Sequence, residues 1–244
     1  MLFLRKMTVF SYFHHSCFCA DARIYDRILQ IIMNKIDYNK EFNRIISAQN
    51  ASIHPKRLLL HACCAPCSSI CMDRVRDHFE TTVYFFNPNI TIKSEYQYRL
   101  DELKRLVYIY NNMPDRGHIN IMEGEYNPEI FFDMARGYEN CPERGDRCSL
   151  CYKLRLKATA DAAVTGGYDY FATTLTLSPL KDAERLNAIG YSLAEESDGA
   201  VMWLPSDFKK EDGFKKSIEL SHKYNLYRQN YCGCIYSRPL EENS

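Results

Sequence analysis

The chemistry-bearing residues of this 244-residue chain are its eleven cysteines, at 17, 19, 63, 64, 67, 71, 141, 148, 151, 232 and 234. Three crowd into Cys63-Cys64-Ala65-Pro66-Cys67, and a second set runs from Cys141 to Cys148-Ser149-Leu150-Cys151. Cys148 and Cys151 are three apart, so a helix projects both from one face. A C-x-x-C pair ligates zinc or iron–sulfur centres and also serves as a redox dithiol. With the first set it makes four convergent thiolates available, and such soft donors select zinc or iron–sulfur clusters over hard cations. The third set, Cys232-Gly233-Cys234, is too tight for two ligands on a regular element. It suits a dithiol that closes to a strained, labile disulfide. Cys141 is either a further ligand or merely near. Cys71, four residues beyond Cys67, reads as core packing, and Cys17 and Cys19 as incidental thiols.

The odd count excludes complete disulfide pairing within the chain, and a chain of this length has no need of such staples. Basic residues interrupt the apolar N-terminal stretch, so it does not read as a secretory signal. No window reaches the roughly 18 apolar residues of a membrane span. A cytoplasmic protein with metal-binding or catalytic cysteines, and no membrane partner, is expected. Hydrophobic residues at 46% and charged residues at 25% exclude disorder, collagen and coiled coil as the main architecture.

The elements that must position these thiols alternate. Residues 58–62 are a short apolar run that fits a buried strand, ending directly on Cys63, and residues 68–79 read as the helix that follows. A β-branched and aromatic strand over 82–86 is stopped by Asn87-Pro88-Asn89. Helical spacing marks 94–110, 146–164, 182–196 and 211–224, and strands are expected at 118–122, 170–175 and 201–204. This order predicts an α/β fold with a mainly parallel, doubly wound sheet. Residues 1–55 read as a partly helical extension, with one amphipathic helix over 25–45, and residues 56–244 as the catalytic domain. Ligands of doubly wound sheets bind outside the carboxyl ends of the strands, where Cys63 and Cys64 fall. A helix N-terminus there also favours thiolate. Four-cysteine zinc sites are typically small closed knuckles, so ligands spread over the mouth of a sheet favour the cluster.

Lys+Arg and Asp+Glu are 31 each, so a nucleic acid would have to be held by a local patch. Arg147, Lys153, Arg155 and Lys157 crowd the helix of the C-x-x-C and are the expected RNA-binding residues. A second excess lies at Lys209, Lys210, Lys215, Lys216, Lys223 and Arg228. Some of the 18 tyrosines are available to stack on unpaired bases.

The segments LLLHACCAPCSS, FFNPNI, CxxCYKLRLKATA, YFATTLTLSPLKD and YCGCIYS together resemble the QueH-type, cobalamin-independent epoxyqueuosine reductases, over about residues 57–238. The resemblance implies a Rossmann-like fold akin to the adenine-nucleotide α-hydrolases. It also implies a cytosolic enzyme that removes the epoxide oxygen of epoxyqueuosine in a tRNA anticodon loop, the last step of queuosine biosynthesis. By motif, Cys63, Cys64, Cys148 and Cys151 would hold a 4Fe–4S cluster, and Cys232 with Cys234 would form a redox-active disulfide. A single iron beside the cluster is implied as well, with Cys67 and Cys141 as its candidate ligands. Converting an epoxide to an alkene takes two electrons and two protons. An electron donor is therefore needed, and so is an acid, for which Asp146 is the candidate beside Glu143 and Asp182. Two rival readings are a thiol–disulfide oxidoreductase without metal and a non-enzymatic zinc protein that binds tRNA. A nucleotide-hydrolysing or tRNA-thiolating enzyme of the same broad fold would need a Gly/Ser-rich phosphate loop where this chain has CCAPC.

Overall fold

A computed structural model describes residues 36–49 and 54–238. Residues 38–238 belong to one compact unit. Cys17, Cys19 and the first part of the helix expected over 25–45 lie outside the described residues. Helix α1 runs Tyr38–Gln49 and buries Phe42, whose ring meets Phe208 edge-on at 5.2 Å.

Five strands follow: β1 (Lys56–His61), β2 (Phe79–Phe85), β3 (Ile119–Glu123), β4 (Tyr170–Thr173) and β5 (Met202–Trp203). They lie in the order β3-β2-β1-β4-β5, and every pair is parallel. This is the expected doubly wound, Rossmann-like α/β sheet. Winding runs outward from β1 in one direction and from β4 in the other. The switch point therefore lies between the carboxyl ends of β1 and β4, where such sheets open a crevice.

Side-chain alternation on β1 feeds two cores. Leu58 and Leu60 pack with α2 (Ala65–Val75) and α3 (Lys93–Asn111), while Leu59 packs with α5 (Asp146–Thr165) and α6 (Ala183–Glu195). Cys71 is fully buried in the first core, as its spacing predicts. A short helix α4 (Glu129–Ala135), absent from the sequence reading, adds Phe131 and Ala135 to a third cluster with Cys151 and Cys234.

Element ends differ from expectation for local reasons. Helix α2 begins at Ala65 rather than 68, because Pro66 sits in the first turn, where its missing N–H costs nothing. Strand β4 stops at Thr173, whose hydroxyl accepts from the Leu175 amide and turns the chain into a 3-10 helix over Thr174–Leu177. Helix α7 (Gly213–Lys223) starts later than 211, since Glu211 and Asp212 both take positive φ. No helix among the described residues is long and apolar enough to cross a membrane.

His61, at the end of β1, is a buried structural residue. Its Nε2–H donates to the Phe86 carbonyl at 3.1 Å, and Nδ1 lies 2.9 Å from the Thr173 hydroxyl. Burial, reinforced by the charge of Arg155, lowers it to about 3, so the neutral ring ties β1 to β4 and to the end of β2.

Candidate thiol centre

The β1–α2 turn delivers the first thiols. Cys64 is the N-cap of α2 in an extended conformation, and its carbonyl accepts from both the amide and the hydroxyl of Ser68. Cys67 follows in the first helical turn. The sulfur atoms of Cys63, Cys64 and Cys67 lie within 4.8 Å of one another, close enough to share one metal ion. Cys63 Sγ is 3.7 Å from Cys64 Sγ and 3.9 Å from the hydroxyl of Thr174, just past β4. The group thus spans the switch point. Hydrogen bonds from the Cys64 and Cys67 thiols hold Cys63 well below the usual thiol range, with Lys181 and Arg155 adding positive charge. The donors move the other way: Cys64 is pushed up to about 11 by its bond to Cys63, and Cys67 rises too.

The remaining thiols come from two other segments, the start of α5 and the C-terminal stretch. Cys148 and Cys151 open α5, as the spacing predicts. Burial raises Cys148 and pushes Cys151 up to about 11. They line a small cavity of about 30 Å³ with Cys232 and Cys234. A larger cleft of about 210 Å³ is lined by Cys63, Cys67 and Cys232. Both openings share Cys232, Glu143, Arg155, Leu180 and Lys181, so the two adjoin and together make up the hollow of this site. Cys232 is held well below the usual range by the Cys234 thiol, then by Lys181 and the Ser237 hydroxyl, which lies 3.1 Å away. Cys234, the donor of that pair, is raised.

The segment carrying Cys232 is clamped from outside. The guanidinium of Arg99 reaches the carbonyls of Cys232 and Tyr231 at 3.3 and 3.4 Å, and its Nε pairs with Glu95 at 2.7 Å. Asn89 donates to the Cys232 carbonyl at 3.2 Å. The strand-ending Asn87-Pro88-Asn89 thus works twice, since Asn87 donates to the Ala62 carbonyl and accepts from Arg155 at 2.7 Å.

The expected RNA footprint changes. Arg147 and Arg155 are buried: Arg147 donates to the carbonyls of Tyr138, Glu139 and Cys141, and Arg155 faces the hollow beside Asn87. Both point inward because they share the face of α5 that carries Cys151. Lys153 and Lys157 remain exposed, Lys157 against Asp161. Among the acids, Asp146 is exposed at the start of α5 and lines neither opening, whereas Glu143 lines both. Asp182 caps α6 and accepts from the Arg185 amide. Cys141 lines neither opening and does not join the three-thiol group, leaving Cys67 without it there. Lys181 escaped the sequence reading altogether. Its signal was positional: it directly precedes the α6 N-cap, on the loop leaving β4 at the switch point.

Six thiols line the two openings and Cys64 joins Cys63 and Cys67 beside them; with Glu143 the sole carboxylate of the described residues lining either opening, they form a donor set suited to thiophilic iron or zinc and unsuited to hard cations. The family model described as epoxyqueuosine reductase QueH matches residues 58–239. Proteins named epoxyqueuosine reductase QueH from Staphylococcus epidermidis and Streptococcus pyogenes are 40% and 36% identical. The matches cover 83% and 85% of this chain and 85% and 80% of those proteins. That of Thermotoga maritima is 31% identical over 74% of this chain and 89% of its own length. The chain belongs to the epoxyqueuosine reductase QueH family.

Proposed function

We propose that the chain reduces epoxyqueuosine to queuosine within tRNA, using an iron–sulfur centre and the Cys232–Cys234 pair. The observation that carries this reading is the convergence, in a member of this family, of Cys63, Cys64, Cys67, Cys148, Cys151, Cys232 and Cys234 on one hollow beside a lysine. Cys63 and Cys64 from the β1–α2 turn, with Cys148 and Cys151 from α5, would hold a 4Fe–4S cluster. Cys67 would serve an additional iron. The cluster, when bound, supplies electrons one at a time.

The chain's own residues do the rest. The 210 Å³ cleft is where the modified nucleoside would enter, and the aromatic residues Tyr231 and Phe214 line its wall. Cys232 faces this cleft as thiolate while Cys234 keeps its proton, so the pair is set to close to a disulfide and release two electrons. The tRNA and a cytoplasmic one-electron donor are the partners.

The test is anaerobic incubation of the iron-loaded protein with an anticodon stem-loop carrying epoxyqueuosine and a chemical reductant. Conversion to a nucleoside lighter by one oxygen is expected. Zinc in place of iron, with RNA bound and unchanged, would favour the non-enzymatic reading. Disulfide exchange with no metal at all would favour the thiol oxidoreductase.

A further inference from the structure

The reduction requires a proton donor at the epoxide oxygen, and the hollow presents an unexpected one. Lys181 lines both the 210 Å³ cleft and the smaller cavity behind it. It is half-buried, and no hydrogen bond or ion pair joins its ammonium to any described residue. The other cations of the cleft are tied to protein: Arg99 to Glu95, Arg155 to Asn87, and Arg228 to Ser221. Lys181 shares the lining of the cleft with Cys63 of the β1–α2 turn, Cys67 of α2 and Cys232 of the C-terminal segment, and the lining of the smaller cavity with Tyr152 of α5. The preceding Ser178–Pro179–Leu180 stretch, with Leu180 59% exposed, forms the rim. A substrate oxygen brought to the thiols therefore arrives beside three N–H donors that nothing else uses.

Resting on the functional reading above, we propose that Lys181 is the catalytic acid that delivers a proton to the epoxide oxygen. The step balances as follows. Two electrons from the reductant and two protons enter, both C–O bonds break, a carbon–carbon π bond forms, and the oxygen leaves as water. The Lys181 ammonium gives its proton as the first C–O bond opens and is recharged from solvent at the rim. The second proton completes the departing water.

The test uses the iron-loaded full chain with an epoxyqueuosine stem-loop and dithionite-class reductant. Lys181→Met and Lys181→Arg are both expected to lower kcat by about a hundredfold or more, since positioned acids contribute that much and a guanidinium does not release its proton near neutrality. Iron content, visible spectrum and affinity for the product stem-loop should match the parent protein. In Lys181→Ala, added ethylammonium should restore turnover in proportion to its concentration, while guanidinium should not. Near-parental turnover in Lys181→Arg would overturn the proposal, because charge alone would then suffice. Loss of iron or of RNA binding in Lys181→Met and Lys181→Arg alike would also overturn it, making Lys181 part of the scaffold. A parent protein without turnover would instead remove the functional reading on which the proposal rests.

Discussion

The two thiol-bearing regions of the hollow are built in opposite ways. Cys63, Cys64 and Cys67 sit on the last residues past a central strand and the first turn of a helix, all within a backbone fixed by sheet register and by helical hydrogen bonds. Cys232 and Cys234 sit on a segment with only a 3-10 turn of its own, over Ile235–Ser237. That segment is held by side chains arriving from α3 and from the end of β2. Rigid elements hold ligands at constant spacing, which a metal centre needs. A loop clamped through its carbonyls leaves the side chains free to change their bonding, which a dithiol needs. The contrast supports the proposal that the first region holds metal and the second exchanges electrons.

The sharpest way to break this contrast is to remove one thiol from each. Cys64→Ala is expected to lose most of the iron, and Cys148→Ala to do the same. Cys234→Ser is expected to keep its iron and visible spectrum while losing turnover. Cys71→Ala, one helical turn beyond Cys67 but in the apolar core, should keep both iron and activity at a stability cost of about 1–2 kcal/mol. Iron analysis and turnover on the four proteins decide it. Full iron in Cys64→Ala, or iron loss in Cys234→Ser, would reverse the assignment.

That contrast was largely legible in the amino-acid order, because the thiols of the first region lie on elements with strong periodic signals. Leu58-Leu59-Leu60 reads as a buried strand, and Pro66 marks a helix start. What the order hid was which cations face inward. Arg147, Cys151 and Arg155 fall four residues apart, on one stripe of α5, and the presence of Cys151 on that stripe marks it as inward. Charge alone had suggested solvent or RNA for both arginines. Lys181 was hidden for another reason: it belongs to no periodic element, and only the reversal of winding between β1 and β4 gives its position meaning. Asn87 and Asn89 read as strand terminators, and they are, but their side chains also carry Arg155 and the Cys232 carbonyl.

A smaller effect sharpens the second half of the contrast. Gly233 has φ of 98°, a conformation that favours glycine, and a Cβ there would lie 2.7 Å from Ile90 Cγ1 and 3.3 Å from the Arg99 guanidinium. Forcing a side chain into such a backbone costs about 1–3 kcal/mol. Gly233→Ala should therefore displace the segment, lower the melting temperature by several degrees and slow turnover, with iron unchanged. Unchanged turnover would mean that the exact placement of Cys232 and Cys234 does not matter to the reaction.

The smallest expected effect concerns the outer face of α5, opposite the stripe that meets the hollow. Lys153 is exposed and pairs with no described residue, whereas Lys157 already has Asp161 within 2.5 Å. A lysine with a carboxylate partner releases fewer counterions when it meets a phosphate, because the partner must first be given up. Each full phosphate contact to a single-stranded loop contributes about 0.7 to the slope of log affinity against log salt. Replacing Lys153 by Ala should therefore shallow the slope for the stem-loop by about that much, while Lys157→Ala should change it little. Binding titrations over a range of salt concentrations measure both. An unchanged slope in Lys153→Ala would mean that this face is merely solvated. The RNA grip would then belong to the wall of the cleft, where Arg228 lies.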